Sequence, residues 1–117
     1  MSDLNFPDAK SGSLKNDINL RFEKAVEEVK STSPSDADKL KLYGLYKQIN
    51  FGNNNQSKPW SFKVADCYKW QAWKDCDGMD KDKCMQLYID FVNKLKEMKV
   101  LIIFLKDQKV SFKKWKD

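Results

Sequence analysis

Apolar residues recur along much of this chain at the three- and four-residue spacing of an α-helix. The clearest stretch contains Met85, Tyr88, Phe91, Val92 and Leu95, which would share one helical face. No segment of the sequence alternates apolar and polar residues in the way of a half-exposed β-strand. With 117 residues, 41% of them hydrophobic, the chain is long enough to bury one core. The sequence therefore predicts a single all-α domain.

Capping and turn residues divide the helical pattern into four predicted helices. The segment Ser33-Pro34-Ser35-Asp36 is typical of a helix start, with Ser33 as the N-cap and Pro34 at the first helical position. Gly52 and the pair Asp77-Gly78 suit helix ends, and Asp80 can cap the last helix. The predicted helices span about residues 16–30, 34–49, 61–76 and 80–99.

The two ends of the chain differ from this central pattern. Residues 1–15 are polar and predict a flexible arm, residues 16–100 predict the helical domain, and residues 101–117 predict a C-terminal extension. The apolar run Val100 to Leu105 leads into this lysine-rich extension. Three interpretations stay open. The extension continues the last helix and folds back on the domain, or it forms a basic amphipathic segment that binds a membrane surface or a partner. The third is that it reflects a misplaced gene end. We favour packing against the domain.

Composition excludes several classes of chemistry. The sequence contains no histidine, so Ser/His and Cys/His nucleophiles are impossible and a transition-metal site has few ligands. Cys67, Cys76 and Cys84 lack zinc-like spacing and are interpreted as free thiols in partly buried helices. No secretory signal fits the first residues, and the longest apolar run is far shorter than the roughly 20 residues of a membrane span. We expect a cytoplasmic protein.

The segment from Leu40 to Gly52 is the most informative about function. On a helix, Leu40, Tyr43 and Lys47 lie along one side, and Tyr46 lies on an adjacent stripe. This arrangement suits a ligand with an apolar part, a ring that can stack and an anionic group. Residues 30–70 contain seven basic and three acidic side chains, and this positive charge also favours an anionic partner.

The motifs around this segment resemble those of the acyl-CoA-binding protein family. They are the central Tyr43-Gly44-Leu45-Tyr46-Lys47-Gln48, the preceding Ser33-Pro34, and Lys69-Trp70-Gln71-Ala72-Trp73, Tyr88-Ile89-Asp90 and Phe22-Glu23-Lys24-Ala25-Val26-Glu27-Glu28-Val29-Lys30. Their order and spacing over roughly residues 22–98 carry the resemblance. It implies a four-helix up-down-down-up bundle, with residues 101–117 as an extra C-terminal segment.

The resemblance also implies a set of ligand-binding residues and no catalytic or metal-binding ones. Tyr43, Lys47 and Lys69 would contact the 3′-phosphate of CoA, Tyr46 would stack on adenine, and Tyr88 would close over the nucleotide. The adenine and acyl regions would be lined by Phe22, Val26 and Leu40, with Lys30 near the phosphates. We assign Trp70 to the acyl path and Trp73 to the core. Taken singly, most of these residues would be ordinary core aromatics or surface lysines.

Three departures from the family pattern affect these assignments. The loop between Lys30 and Pro34 is about two residues shorter than is typical. Ser33 replaces a basic residue that often precedes the proline, and this puts one phosphate or ribose contact in doubt. Val26 replaces a small residue, which would crowd the adenine slightly.

The resemblance implies a non-catalytic carrier that binds and buffers medium- to long-chain fatty acyl-CoA esters, one per monomer. No cofactor is implied, and transient contacts with membranes or acyl-CoA-using enzymes are expected as partners, without nucleic acid. An alternative is a basic helical module that binds an anionic membrane surface or nucleic acid. A third hypothesis, an isomerase or hydrolase that uses Tyr or Asp, rests only on the occurrence of such domains in fusions with enzymes.

Overall fold

The computed structural model describes residues 17–60 and 63–116, and side chains within residues 17–60 and 63–107. In these ranges there are helices but no strands, so the prediction of an all-α bundle of four helices is confirmed. The proposed arm of residues 1–15 lies outside the described residues. A 3₁₀ turn, Val29–Ser31, follows the first helix. The helices are α1 (17–28), α2 (Asp36–Phe51), α3 (Val64–Lys74) and α4 (Lys81–Lys116).

Helix α2 begins two residues later than the sequence suggested, so the prediction of Ser33 as N-cap and Pro34 as first helical residue is wrong. Ser35 is the N-cap: its Oγ accepts a hydrogen bond from the backbone N–H of Asp38 at 3.1 Å. The Asp38 carboxylate in return accepts from the N–H of Ser35 at 3.2 Å. This reciprocal pair satisfies two backbone donors at once.

Helix α2 ends at Phe51, where Gly52 adopts a φ of 79° and its N–H donates to the carbonyl of Gln48 at 3.0 Å. This positive φ suits glycine because it has no Cβ. Helix α3 is shorter than predicted at both ends, and Cys76 lies in the turn that follows it. Asp80 caps α4 as expected, because its carboxylate accepts from the N–H groups of Asp82 and Lys83.

Asn54 fastens the connection between α2 and α3. Its side chain is 1% exposed. Its amide donates to the carbonyl of Trp70 at 3.0 Å, and its side-chain oxygen accepts from the N–H of Gln56 at 3.0 Å. Its own backbone N–H donates to the Asp77 carboxylate at 2.8 Å. The loop is therefore held against both α3 and the turn that follows it.

The core lies where α2 and α4 pack together, with α1 and α3 against them. A Cβ built on Gly44 would lie 2.3 Å from the carbonyl oxygen of Ala72 on α3. A side chain at this position would push the two helices apart, so the absence of one allows their backbones to touch. The buried residues of the main cluster are Phe22, Ala25, Leu42, Leu45, Ile49, Cys76, Cys84, Met85, Tyr88, Ile89, Val92 and Leu95.

Helix α4 continues without interruption for 36 residues, and the interpretation that the apolar run packs back on the domain is wrong. Leu95 is the last buried residue of α4 among those described. The side chains from Val100 to Leu105 are 48–67% exposed, although Ile102 and Ile103 line a groove of about 460 Å³ together with residues at the start of α2. The last polar contact with the body joins the Lys99 ammonium to the carbonyl of Ser31. Within residues 17–60 and 63–116, no helix is both long and apolar enough to cross a membrane.

Candidate ligand-binding site

Two ammonium groups meet at one tyrosine ring on the contact between α2 and α3. The Nζ atom of Lys47, one turn after Tyr43 on α2, lies 5.7 Å from the centroid of the Tyr43 ring. The Nζ atom of Lys69, from α3, lies 5.8 Å from the same centroid. Among the described side chains, neither ammonium has a carboxylate within 4.0 Å. This pair of cations is therefore suited to an anion with several oxygen atoms, such as a phosphate.

Aromatic rings hold Lys47 in place. Its Nζ lies 4.6 Å from the centroid of Phe51 and 5.1 Å from that of Trp73, in addition to its contact with Tyr43. Trp73 is itself fixed in the core, as predicted, and its indole N–H donates to the carbonyl of Gly52 at 2.8 Å. Cation–π contacts of this kind restrict the lysine head while leaving its hydrogen-bond donors available.

A groove of about 560 Å³ lies between α1, the C-terminal half of α2 and the start of α4; we name it the α1–α4 groove. Polar side chains flank an apolar floor, and the exposed ring of Tyr46 stands at its side. This groove could therefore receive a flat polar ring. Its lining residues are Asn19, Phe22, Glu23, Val26, Glu27, Tyr46, Ile49, Asn50, Lys81 and Met85.

Three aromatic rings cluster at this groove. The ring of Phe22 packs edge-on against Tyr88 at 5.0 Å between centroids and lies 6.2 Å from Tyr46. Tyr88 is 4% exposed, and burial, with a smaller effect of nearby Tyr46, raises the pKa of its phenol. Tyr88 thus lies under Phe22 as part of the core, while Phe22 belongs to both the core and the groove.

A second groove, of about 640 Å³, lies between the N-terminal half of α2 and α3; we name it the α2–α3 groove. An adjoining apolar groove of about 410 Å³ shares Leu40 and Tyr68 with it. Tyr68 was missed in the sequence, although its spacing of four from Val64 indicates a shared face. The lining residues of the α2–α3 groove are Asp36, Lys39, Leu40, Tyr43, Val64, Ala65, Tyr68 and Lys69.

Helix α2 joins these features into one surface. Leu40 and Tyr43 line the α2–α3 groove, and Tyr46, one turn further along, lines the α1–α4 groove. The two ammonium groups at Tyr43 lie on this same stretch of helix. The structure therefore brings together Tyr43, Lys47 and Lys69 beside Leu40, and Phe22, Val26 and Tyr46 beside Tyr88.

Two predicted site residues lie apart from this surface. Trp70 is not part of the lining of either groove, and its indole N–H donates to the carbonyl of Gln56 at 2.8 Å. Lys30 lies in the 3₁₀ turn after α1, where its exposed ammonium contacts the Glu27 carboxylate at 3.0 Å. Trp70 therefore fixes the α2–α3 connection, and Lys30 forms a surface ion pair.

Within the parts of the chain that the structure describes, no three metal-ligating side chains of the His, Cys, Asp or Glu type cluster together. The three cysteines are free thiols, as predicted, and two of them are buried. Burial is the largest cause of the raised pKa of the Cys76 and Cys84 thiols. These thiols are therefore poor nucleophiles at neutral pH.

Comparison with known proteins gives a consistent result. The sequence profile of the family described as "Acyl CoA binding protein" matches residues 19–92. The chain belongs to the acyl-CoA-binding protein family. Both grooves and the ammonium pair fall within the matched residues, whereas the exposed part of α4 lies beyond them.

Curated members of the acyl-CoA-binding protein family share nearly half of the aligned residues. Acyl-CoA-binding protein 2 of Saccharomyces pastorianus is 44% identical over 72 residues, covering 62% of this chain and 82% of its own. The acyl-CoA-binding protein of Gossypium hirsutum is 45% identical over 78 residues, covering 65% and 88%. The crystal structure of Oryza sativa acyl-CoA-binding protein 2 matches with a TM-score of 0.68 at 38% identity, covering 72% of this chain and 96% of that one.

Proposed function

We propose that this protein binds one medium- to long-chain fatty acyl-CoA ester and carries it without transforming it. The observation that carries the proposal is the pair of ammonium groups at Tyr43, without carboxylate partners among the described side chains, on the helix that lines both grooves. An acyl-CoA has a matching sequence of parts: a flat base, phosphates and a long apolar chain. The printed names of the relatives, which describe acyl-CoA binding, support this choice of ligand.

Each part of the ligand has a proposed position. The 3′-phosphate binds between Lys47 and Lys69 with the Tyr43 hydroxyl, and each charge-assisted contact contributes about 1.5–3 kcal/mol. Adenine occupies the α1–α4 groove, where stacking on Tyr46 contributes about 1–3 kcal/mol. The acyl chain lies in the α2–α3 groove, and each methylene withdrawn from water adds up to about 0.8 kcal/mol. The chain therefore supplies most of the affinity, and the phosphate contacts distinguish CoA esters from free fatty acids.

Carriage requires that the thioester be shielded, and it needs no nucleophile. The two buried thiols have raised pKa values, and neither Cys76 nor Cys84 lines the α2–α3 groove. The proposed role is therefore to extract, buffer and deliver acyl-CoA rather than to hydrolyse or isomerise it.

We propose the cytoplasm as the compartment and the monomer as the working form. Free cysteines suit a reducing compartment. Delivery would use transient contacts with membranes or with acyl-CoA-using enzymes, and nucleic acid has no part in the proposal.

The test is isothermal titration of palmitoyl-CoA into wild type, Lys47→Ala and Lys69→Ala, with Lys24→Ala as the control at an exposed lysine outside both grooves. We expect each site variant to lose about 10- to 100-fold in affinity, and the control to bind like wild type. Palmitoyl-3′-dephospho-CoA should bind wild type more weakly and show no further loss in Lys47→Ala. Equal affinity of Lys47→Ala and Lys24→Ala for palmitoyl-CoA would contradict the proposed phosphate contact. No binding of any acyl-CoA to wild type would overturn the carrier function.

A further inference from the structure

The C-terminal part of α4 contains an apolar run that the described part of the chain leaves about half exposed. We name residues 98–116 the α4 arm. Six consecutive side chains, from Val100 to Leu105, are each about half exposed. At 1.5 Å per residue they cover about 9 Å of helix, which is too short to cross the roughly 30 Å hydrocarbon core of a bilayer.

Among the described residues, one side of the arm is apolar and the other carries both lysines and isoleucines. Leu101, Phe104 and Leu105 share one side of the helix at three- and four-residue spacing, and each is more than half exposed. Lys99 and Lys106, seven residues apart, share a different side, where they line a groove with Ile102, Ile103 and residues at the start of α2. Leucine and aromatic residues opposite lysines are typical of a helix that lies in a membrane interface.

The charge of the arm favours one occupant for this surface. From residue 106 to the end of the chain there are five lysines and two aspartates. Two arms side by side would bring these positive charges together, whereas anionic lipid headgroups attract them. We propose that the α4 arm docks on an anionic lipid surface, with Leu101, Phe104 and Leu105 in the interface and the lysines at the headgroups. This goes beyond acyl-CoA carriage, since the arm lies outside residues 19–92 that match the family.

The first experiment is flotation of the full chain with vesicles of phosphatidylcholine, with or without phosphatidylserine. Wild type should float only with the phosphatidylserine vesicles. A triple variant, Lys106→Glu with Lys109→Glu and Lys113→Glu, should bind them at least about 100-fold more weakly, since each lysine near the surface contributes about fivefold. The charge-matched control is Lys24→Glu with Lys58→Glu and Lys83→Glu, at exposed lysines of the body. An equal loss in the control would assign binding to the overall charge and overturn the proposal.

The second experiment removes the apolar face. Leu101→Ser with Phe104→Ser and Leu105→Ser should abolish flotation, whereas Leu20→Ser, at an exposed leucine of α1, should not. All variants should retain the palmitoyl-CoA affinity of wild type, so a failure of docking is distinguishable from a failure of carriage. Absence of wild-type flotation, or equal flotation without phosphatidylserine, would refute the proposal. A dimer in sedimentation velocity that the serine variant abolishes would assign the face to a second copy of the chain and overturn it too.

Discussion

Asn54 should contribute about 2 kcal/mol to stability through two side-chain hydrogen bonds. The substitution Asn54→Ala removes the bond to the carbonyl of Trp70 and the bond from the N–H of Gln56, each worth about 1 kcal/mol net. The bonds of Asn54 to Asp77 and Lys74 use its backbone and would remain. Gln56 is exposed, so its freed N–H can bond to water and adds no large penalty. The substitution should therefore lower the free energy of unfolding by about 2 kcal/mol, a sizeable part of the roughly 5–15 kcal/mol that is typical of native proteins.

The assay is urea unfolding followed by circular dichroism. With an m-value of about 1–3 kcal/mol/M, the midpoint should fall by about 1 M. The matched control is Asn50→Ala, since the Asn50 side chain also donates to a backbone carbonyl, that of Tyr46 at 2.9 Å, but on an exposed surface. We expect the control to change stability by less than about 0.5 kcal/mol. If the Asn54→Ala protein were as stable as this control, the argument that the buried hydrogen bonds of Asn54 stabilise the fold more than an exposed one would be refuted.

Two further substitutions test acid sensitivity and chain-length preference. The hydrogen bond from the Asn54 N–H, and secondly that from the Lys74 ammonium, lower the pKa of the Asp77 carboxyl. The ionised carboxylate therefore stabilises the folded state at pH values above the ordinary aspartate pKa. This stabilisation is lost as the pH falls through the lowered pKa of the folded state. Asp77→Asn should therefore lose less stability on acidification in urea titrations, and an unchanged acid dependence would count against this. Tyr68 lines both apolar grooves, so Tyr68→Ala should enlarge the space that they share. We expect it to raise the affinity ratio of stearoyl- to lauroyl-CoA by up to about fourfold per methylene. For the control Tyr68→Phe, the stearoyl- to lauroyl-CoA affinity ratio measured by titration should stay as in wild type. A wild-type ratio in Tyr68→Ala would contradict the proposed role of Tyr68 in chain-length preference.

Sequence reasoning was most successful where the relevant contacts are local. The faces of α2 follow from helical periodicity, so Tyr43 and Lys47 were expected on one side before any fold was known. The four helices also follow from spacing and caps. The start of α2 was misplaced because two serines flank Pro34, and only the bonds with Asp38 show that Ser35 is the cap.

The remaining features depend on how the helices meet. Lys69 joins Tyr43 because Gly44 lets α3 approach α2, and periodicity within one helix contains no information about that approach. Tyr68 was missed for the same reason, since its significance comes from the groove that it shares with Leu40. The run after Val100 was expected to be covered because apolar residues usually are, but the neighbouring residues at the start of α2 leave it about half exposed.

The continuity of α4 has a consequence for how the protein would be oriented. No glycine or proline occurs from Lys81 to Lys116, and a helix of 36 residues is about 54 Å long. The body and the arm are thus parts of one rod without a hinge. An arm lying at a fixed angle on a surface would fix the direction in which the body points, and with it the direction in which both grooves open. Exchange of a ligand with that surface would then occur through one preferred approach rather than by free tumbling on a tether.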